Sequence, residues 1–393
     1  MMVLLWSQAS PILMGAFLFY AADLDVAFGR DAFDSRISPL QALPVHSSPG
    51  PQFNISNMLG QDEARAMSLY SRLGGDKLSQ PQSTTVPLKP GLSIGSGNYY
   101  VRIGLGTPPK YYTMLMDTGS SFSWLQCLPC QYCHPQSDPM FDPAASRTYK
   151  PLSCSSSACS SVGDATLNDP ACDFSTGHCI YTASYGDRSY SVGVLSQDVL
   201  TLSPSQTLAG FLYGCGGDND GLFGRAAGLL GLGRHRLSLV SQMSGNSGSV
   251  FSYCLPSYGS SFSPHGISGA GGFLSIGKAA VADAARFKYT PMIRNSREPT
   301  LYFLKLTGFT VGGQPLGVSA AEYGAPAIID SGTVISRLPV AVYNSLRQAL
   351  TKVMTTEFKY KQAPAFSILD TCFITGAKVA SRAPPVQMLF AGG

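Results

Sequence analysis

Tyr111-Tyr112-Thr113-Met114-Leu115-Met116-Asp117-Thr118-Gly119-Ser120-Ser121 is an apolar run that ends in an acid, a hydroxyl, a glycine and two more hydroxyls. Aromatic, β-branched and large apolar residues followed by turn chemistry read as a buried strand opening into a tight turn. Asp117 sits at that opening. Gly119 lets the backbone come close or take a positive φ. Thr118 and Ser120 bring hydroxyl donors to the carboxylate.

The pattern returns once, in Ala327-Ile328-Ile329-Asp330-Ser331-Gly332-Thr333. The two copies are too far apart in the chain for one hairpin. A single Asp-hydroxyl-Gly is an ordinary strand-ending turn; two in the same local setting predict two related lobes, each giving one carboxylate to a shared centre. Two carboxyls about 3 Å apart cannot both ionise cheaply, so they share a proton. The ionised member takes a proton from a water, and the neutral one donates a hydrogen bond to a carbonyl oxygen. General base and general acid in one pair suit the addition of water to a peptide carbonyl.

From Gly97 to its last residue the chain resembles pepsin-like aspartic peptidases, in particular the cysteine-rich plant group of nepenthesins and chloroplast-nucleoid-type proteases. The resemblance implies an all-β, bilobal acid-protease fold with a few short helices. It also implies an aspartic endopeptidase acting on polypeptides at acid pH, with Asp117 and Asp330 catalytic. Thr118, Gly119, Ser120, Ser331, Gly332 and Thr333 would support the pair, with Ser120 and Thr333 bonding the outer carboxylate oxygens. No cofactor and no metal are implied, and the protein would be a monomer.

Other motifs follow in order. Gly97 to Pro109 alternates apolar with small or polar residues and turns at Pro108-Pro109, a hairpin into the Asp117 strand. By resemblance, Trp124 supports a flap tyrosine. Tyr185-Gly186-Asp187-Arg188-Ser189 resembles that flap, a hairpin tip closing over bound peptide, with Tyr185 and Gly186 at the substrate. Arg188 departs from the family, which more often has a small residue there. Ala226 to Gly233 resembles the apolar-apolar-Gly strand that frames the Asp117 loop, and Gly231 would let that loop pack closely. A short helix is expected over Arg234–Gln242.

The chain has 10 cysteines, which favours an oxidising compartment. Cys127, Cys130, Cys133, Cys154, Cys159, Cys172 and Cys179 form a dense block. A metal knuckle on Cys127-x-x-Cys130-x-x-Cys133 lacks a matching His/Cys set, so disulfides stapling an insertion are the expectation. Seven is odd, and Cys215 is the nearest outside partner. Connectivity does not follow from spacing. Cys254 and Cys372 lack family partners, which the resemblance places in a further tail; a bond between the two is the alternative and would depart from the family pattern.

Composition bounds the remaining options. A chain of 393 residues can bury two cores, and 13% charged residues with 42 glycines suit an all-β protein rich in turns. The formal charge of +4, without a Lys/Arg cluster, gives no support to nucleic-acid binding. Ile12–Ala22 is too short to span a bilayer and fits a signal-peptide core, so 1–22 is read as a signal and no membrane span is expected in the mature chain. Residues 23–95, with Pro, Ser and Gln frequent around 38–54 and 79–90, read as a linker with an amphipathic helix over Asn57–Leu73 and one sequon at Asn54-Ile55-Ser56; the resemblance implies that this stretch is a prosegment. The peptidase domain would run from 96 to 393, its first lobe ending near 250 and its second starting near 251. Strands are expected at Phe251–Leu255, Gly272–Gly277 and Tyr302–Leu306, a hairpin at Val311–Gln314, and an amphipathic helix after Pro339 with Val342, Leu346, Leu350 and Val353 on one face.

The family continues beyond the point where this chain stops, with a second apolar-apolar-Gly strand that has no counterpart after Asp330. A truncated second lobe is therefore expected. The alternatives are a catalytically inert, xylanase-inhibitor-like binding protein of the same fold, or an inactive truncated product. The expected location is the apoplast or endomembrane lumen, with the chloroplast the option that the nucleoid-type resemblance adds.

Overall fold

The computed structural model describes residues 84–247, 250–255, 272–277, 289–366, 368–374 and 383–392, with two short strands at Leu4–Trp6 and Ala16–Phe17. The helix expected over Asn57–Leu73 and the sequon lie outside the described residues. The chain divides into two compact units. One comprises Glu63–Ala282 and Asn295–Leu301; the other comprises Met1–Asp62, Asp283–Arg294 and Tyr302–Gly393.

The first unit is built on a twelve-stranded sheet. Strand Tyr99–Leu105 pairs antiparallel with Lys110–Asp117, as the Pro108-Pro109 turn predicts. Lys110–Asp117 then pairs in parallel with Gly228–Gly231, which also lies antiparallel to Trp124–Gln126. A late strand is thus inserted between two early ones. From Thr113 onward the Asp117 strand is buried along its whole length, which is why it reads as a continuous apolar run rather than an alternating one. Further out lie Gln206–Asp220, Tyr190–Ser203 and His178–Ser184. Leu200 and Thr201 return to pair with Leu105 and Gly104. The sheet thereby closes on itself over that stretch, removing open strand edges.

Three features differ from the sequence reading. Thr84–Pro90, inside the stretch read as prosegment, is a strand of this sheet, pairing with Tyr99–Val101 and with Gly272–Ile276. Phe251–Cys254 and Gly272–Ile276, read as opening the second lobe, pair with each other and extend the first unit's sheet. The helix expected over Arg234–Gln242 is instead Leu239–Ser247. Its start is set by Ser238, whose hydroxyl accepts from the Ser241 amide at 3.3 Å.

In the second unit, Ala327–Ile329 pairs antiparallel with Phe303–Leu304 and with Leu4–Trp6, and Ala16–Phe17 pairs with Ser336–Arg337. Parts of the expected signal segment are therefore placed in strands. The hairpin at Gly312-Gly313 joins Leu306–Val311 to Gln314–Pro315. Val386–Phe390 flanks the same strand. Helix Val340–Thr356 follows Pro339 as expected and packs Val342, Tyr343 and Leu346 against Leu306, Phe309 and Val311. No helix among the described residues is long and apolar enough to cross a membrane.

Candidate active site

Each unit carries one Asp loop, and the two loops share a local geometry. Asp117, buried at the end of its strand, accepts a hydrogen bond at Oδ1 from the Gly119 amide at 2.9 Å. Asp330, fully buried, accepts at Oδ1 from the Gly332 amide at 2.8 Å. The residue two after the acid folds its N–H back onto the carboxylate in both, the Asx-turn chemistry that an acid-x-Gly sequence encodes. The hydroxyls behave differently. Thr333 Oγ1 donates to Asp330 Oδ2 at 2.5 Å, whereas the buried Ser120 Oγ makes no hydrogen bond among the described residues. The expected Ser120 bond to the outer oxygen of Asp117 is therefore not present.

The Asp117 loop is pinned from beside. Leu232 donates its amide to the Asp117 carbonyl at 2.8 Å, and Gly233 to that of Ser120 at 2.7 Å. Ser123 Oγ accepts from the Gly231 amide at 3.0 Å. A Cβ at Gly231 would lie 2.7 Å from the Phe122 amide nitrogen. Glycine is required there because backbone meets backbone, as the framing-strand resemblance implies.

Tyr185-Gly186-Asp187-Arg188-Ser189, the expected flap, forms a hairpin tip between His178–Ser184 and Tyr190–Ser203. The Arg188 amide donates to the Tyr185 carbonyl at 3.0 Å, and the Tyr185 amide to the Ser189 carbonyl at 2.8 Å. Gly186-Asp187-Arg188 is thus a three-residue loop that ends with Arg188 in the left-handed region at φ 68°. Trp124 Nε1 donates to the Tyr185 hydroxyl at 2.7 Å, so these two sequence-predicted residues meet directly. Phe223 packs edge-on against both, 4.9 Å from the Trp124 ring and 5.8 Å from that of Tyr185.

Sequence reasoning missed Phe223 and His134. His134 lies 5.3 Å from Phe223 and edge-on to Trp124 at 6.5 Å. Its Nε2 bonds the Ala226 carbonyl at 3.0 Å, while its buried Nδ1 has no partner among the described residues. Burial holds its pKa below the ordinary histidine value, against the raising influence of the Ala226 carbonyl and of Asp220. The Gln126 side chain clamps the His134 backbone, accepting its amide at 3.0 Å and donating to its carbonyl at 2.9 Å. The only sequence trace of this packing is position: His134 directly follows Cys133, and Phe223 falls in the glycine-flanked Leu222-Phe223 pair.

Four disulfides hold the cysteine-rich block: Cys127–Cys215, Cys130–Cys133, Cys154–Cys172 and Cys159–Cys179. Cys215 is thus the outside partner, and all three sulfurs of the knuckle-like spacing lie in disulfides. Cys254 and Cys372 are unbridged, so the pairing left open between them is not formed.

Two family models match the chain. The one described as xylanase inhibitor N-terminal covers residues 99–278, and the one described as xylanase inhibitor C-terminal covers 301–393. An aspartyl protease family protein of Arabidopsis thaliana is 41% identical over 343 residues, covering 86% of this chain and 69% of that protein. Aspartyl protease AED1 of the same plant is 36% identical, covering 91% and 73%. Aspartic proteinase nepenthesin-1 of Nepenthes gracilis is 33% identical, covering 92% and 78%. Among solved structures, the soybean basic 7S globulin aligns with a TM-score of 0.54 at 19% identity, over 79% of this chain and 80% of that one, a likeness of fold. The chain belongs to the pepsin-like plant aspartic protease family, nepenthesins included.

Proposed function

We propose that this chain is an aspartic endopeptidase that hydrolyses polypeptides at acid pH, with Asp117 and Asp330 as its shared-proton pair. The observation that carries this reading is the matching construction of the two loops, each with a buried carboxylate turned back onto the amide two residues on. In the reaction, one carboxylate takes a proton from water as the water oxygen adds to the scissile carbonyl. The protonated partner donates its proton to the carbonyl oxygen; as the C–N bond then breaks, the proton taken from water passes to the leaving nitrogen and the forming carboxylic acid returns the other proton to the pair. The Tyr185 hydroxyl, anchored by Trp124, excludes water over bound substrate. A secretory or endomembrane route is supported by the disulfides.

A second reading, a pepsin-fold binding protein without catalysis, has support in the xylanase-inhibitor descriptions of the matching family models. Hydrolysis of a quenched peptide between about pH 3 and 7 separates the two. The peptidase reading expects a single acid optimum, and loss of activity in Asp117→Asn and in Asp330→Asn alike. A folded wild type that cleaves nothing across that range sinks it and favours the binder.

A further inference from the structure

Arg188 stands out at the flap tip. It is exposed and holds φ at 68°, a conformation that glycine adopts freely and an L side chain does not. The acids of the neighbouring backbone are engaged elsewhere. Asp187 accepts from the Ser189 amide at 3.0 Å and from the Ser189 hydroxyl at 2.8 Å. Asp218 accepts from the Tyr190 hydroxyl at 2.9 Å, and Asp220 from the Gly221 amide at 2.8 Å. The Arg188 guanidinium forms no ion pair or hydrogen bond among the described residues. A long cation thus occupies a position where its backbone is strained and its guanidinium is in direct contact with no carboxylate among the described residues. Strain of this kind persists at functional sites.

We propose that Arg188 is a specificity-determining residue that selects peptides with an acidic side chain beside the scissile bond. This rests on the peptidase reading, because the flap meets substrate only if the chain binds peptides. The guanidinium fork matches a carboxylate in two parallel hydrogen bonds, a match that neither lysine nor a neutral side chain offers. Flap closure removes water around the pair and strengthens it. The preference requires an ionised substrate, so it is present above the substrate glutamate's pKa of about 4.3 and fades as the pH falls below it.

Two quenched peptides that differ only in Glu or Gln beside the cleaved bond provide the test, at pH about 5.5 and low salt. The wild type is expected to favour the Glu peptide about fivefold in kcat/KM, the scale of a well-placed exposed pair. Arg188→Gln and Arg188→Gly should cleave both peptides alike, and high salt should erode the wild-type preference. Fluorescence anisotropy of the same peptides, labelled, on Asp330→Asn reads the selection without catalysis. Equal binding and equal cleavage of the two peptides by the wild type overturn the proposal, as does a preference that survives in Arg188→Gln. Selective binding of the Glu peptide that depends on Arg188, with no hydrolysis by the wild type, removes the peptidase reading and leaves standing only the selection of acidic peptides by Arg188.

Discussion

At the residue scale, the two Asp loops are alike in backbone and unlike in their hydroxyls. Thr333 holds Asp330 Oδ2, whereas the Ser120 hydroxyl makes no hydrogen bond among the described residues. A hydrogen bond to a charged group contributes about 1.5–3 kcal/mol. Thr333→Val should therefore lower kcat/KM about tenfold or more, because a buried bond to the proposed catalytic carboxylate is lost. Ser120→Ala should stay within about threefold of the wild type, since no bond is lost. Parallel pH–rate profiles of the two variants check this, and equal losses in both would refute the asymmetry. The Asp-hydroxyl-Gly motif was legible in sequence because the bond it encodes spans two residues. The unequal use of its hydroxyls was not, because burial and packing around each loop decide which oxygen a side chain reaches.

At the element scale, the inserted strand Gly228–Gly231 holds the Asp117 strand in register. Gly231→Ala places a methyl against the Phe122 backbone, an overpacking that typically costs about 1–3 kcal/mol. Urea midpoints should fall accordingly, and an unchanged midpoint would show that the Asp117 loop tolerates a wider spacing. Cys127–Cys215 ties the neighbouring parallel strands Trp124–Gln126 and Gln206–Asp220 across 88 positions. Removing both cysteines should cost roughly 2–5 kcal/mol by chain entropy, read from the same denaturation curves. Cys172 and Cys179 show why connectivity was hidden from sequence. They face each other in register on adjacent strands, yet each bonds a cysteine from the preceding loop.

At the scale of the whole molecule, the chemistry proposed and the packing observed pull in opposite directions with pH. Burial lowers the pKa of His134 and of His235. A histidine whose folded pKa is depressed stabilises fully above its unfolded value of about 6.5. That contribution is lost as the pH drops below it, because the unfolded chain then binds the proton more readily. The melting temperature should therefore fall between about pH 7 and 5, where the proposed shared-proton pair is expected to gain activity. His134→Gln, which keeps an amide donor for the Ala226 carbonyl, should flatten that fall. A variant whose melting temperature tracks the wild type at each pH would remove His134 as the cause.

Sequence alone determined what depends on neighbours along the chain. The two Asp turns, the Pro108-Pro109 hairpin, the turn at Tyr185–Ser189, the Gly312-Gly313 hairpin and the helix after Pro339 are each written in a few consecutive residues or one short period. Tertiary structure decided the rest. It set the insertion of Gly228–Gly231 between earlier strands and the capture of Thr84–Pro90 by the first unit's sheet. It chose the disulfide partners, the Trp124–Tyr185 bond, and the burial of His134 and Phe223 against the Trp124–Tyr185 pair. These are contacts between segments far apart in the chain, chosen by strand register and by competition for buried space, and a local pattern carries no record of either.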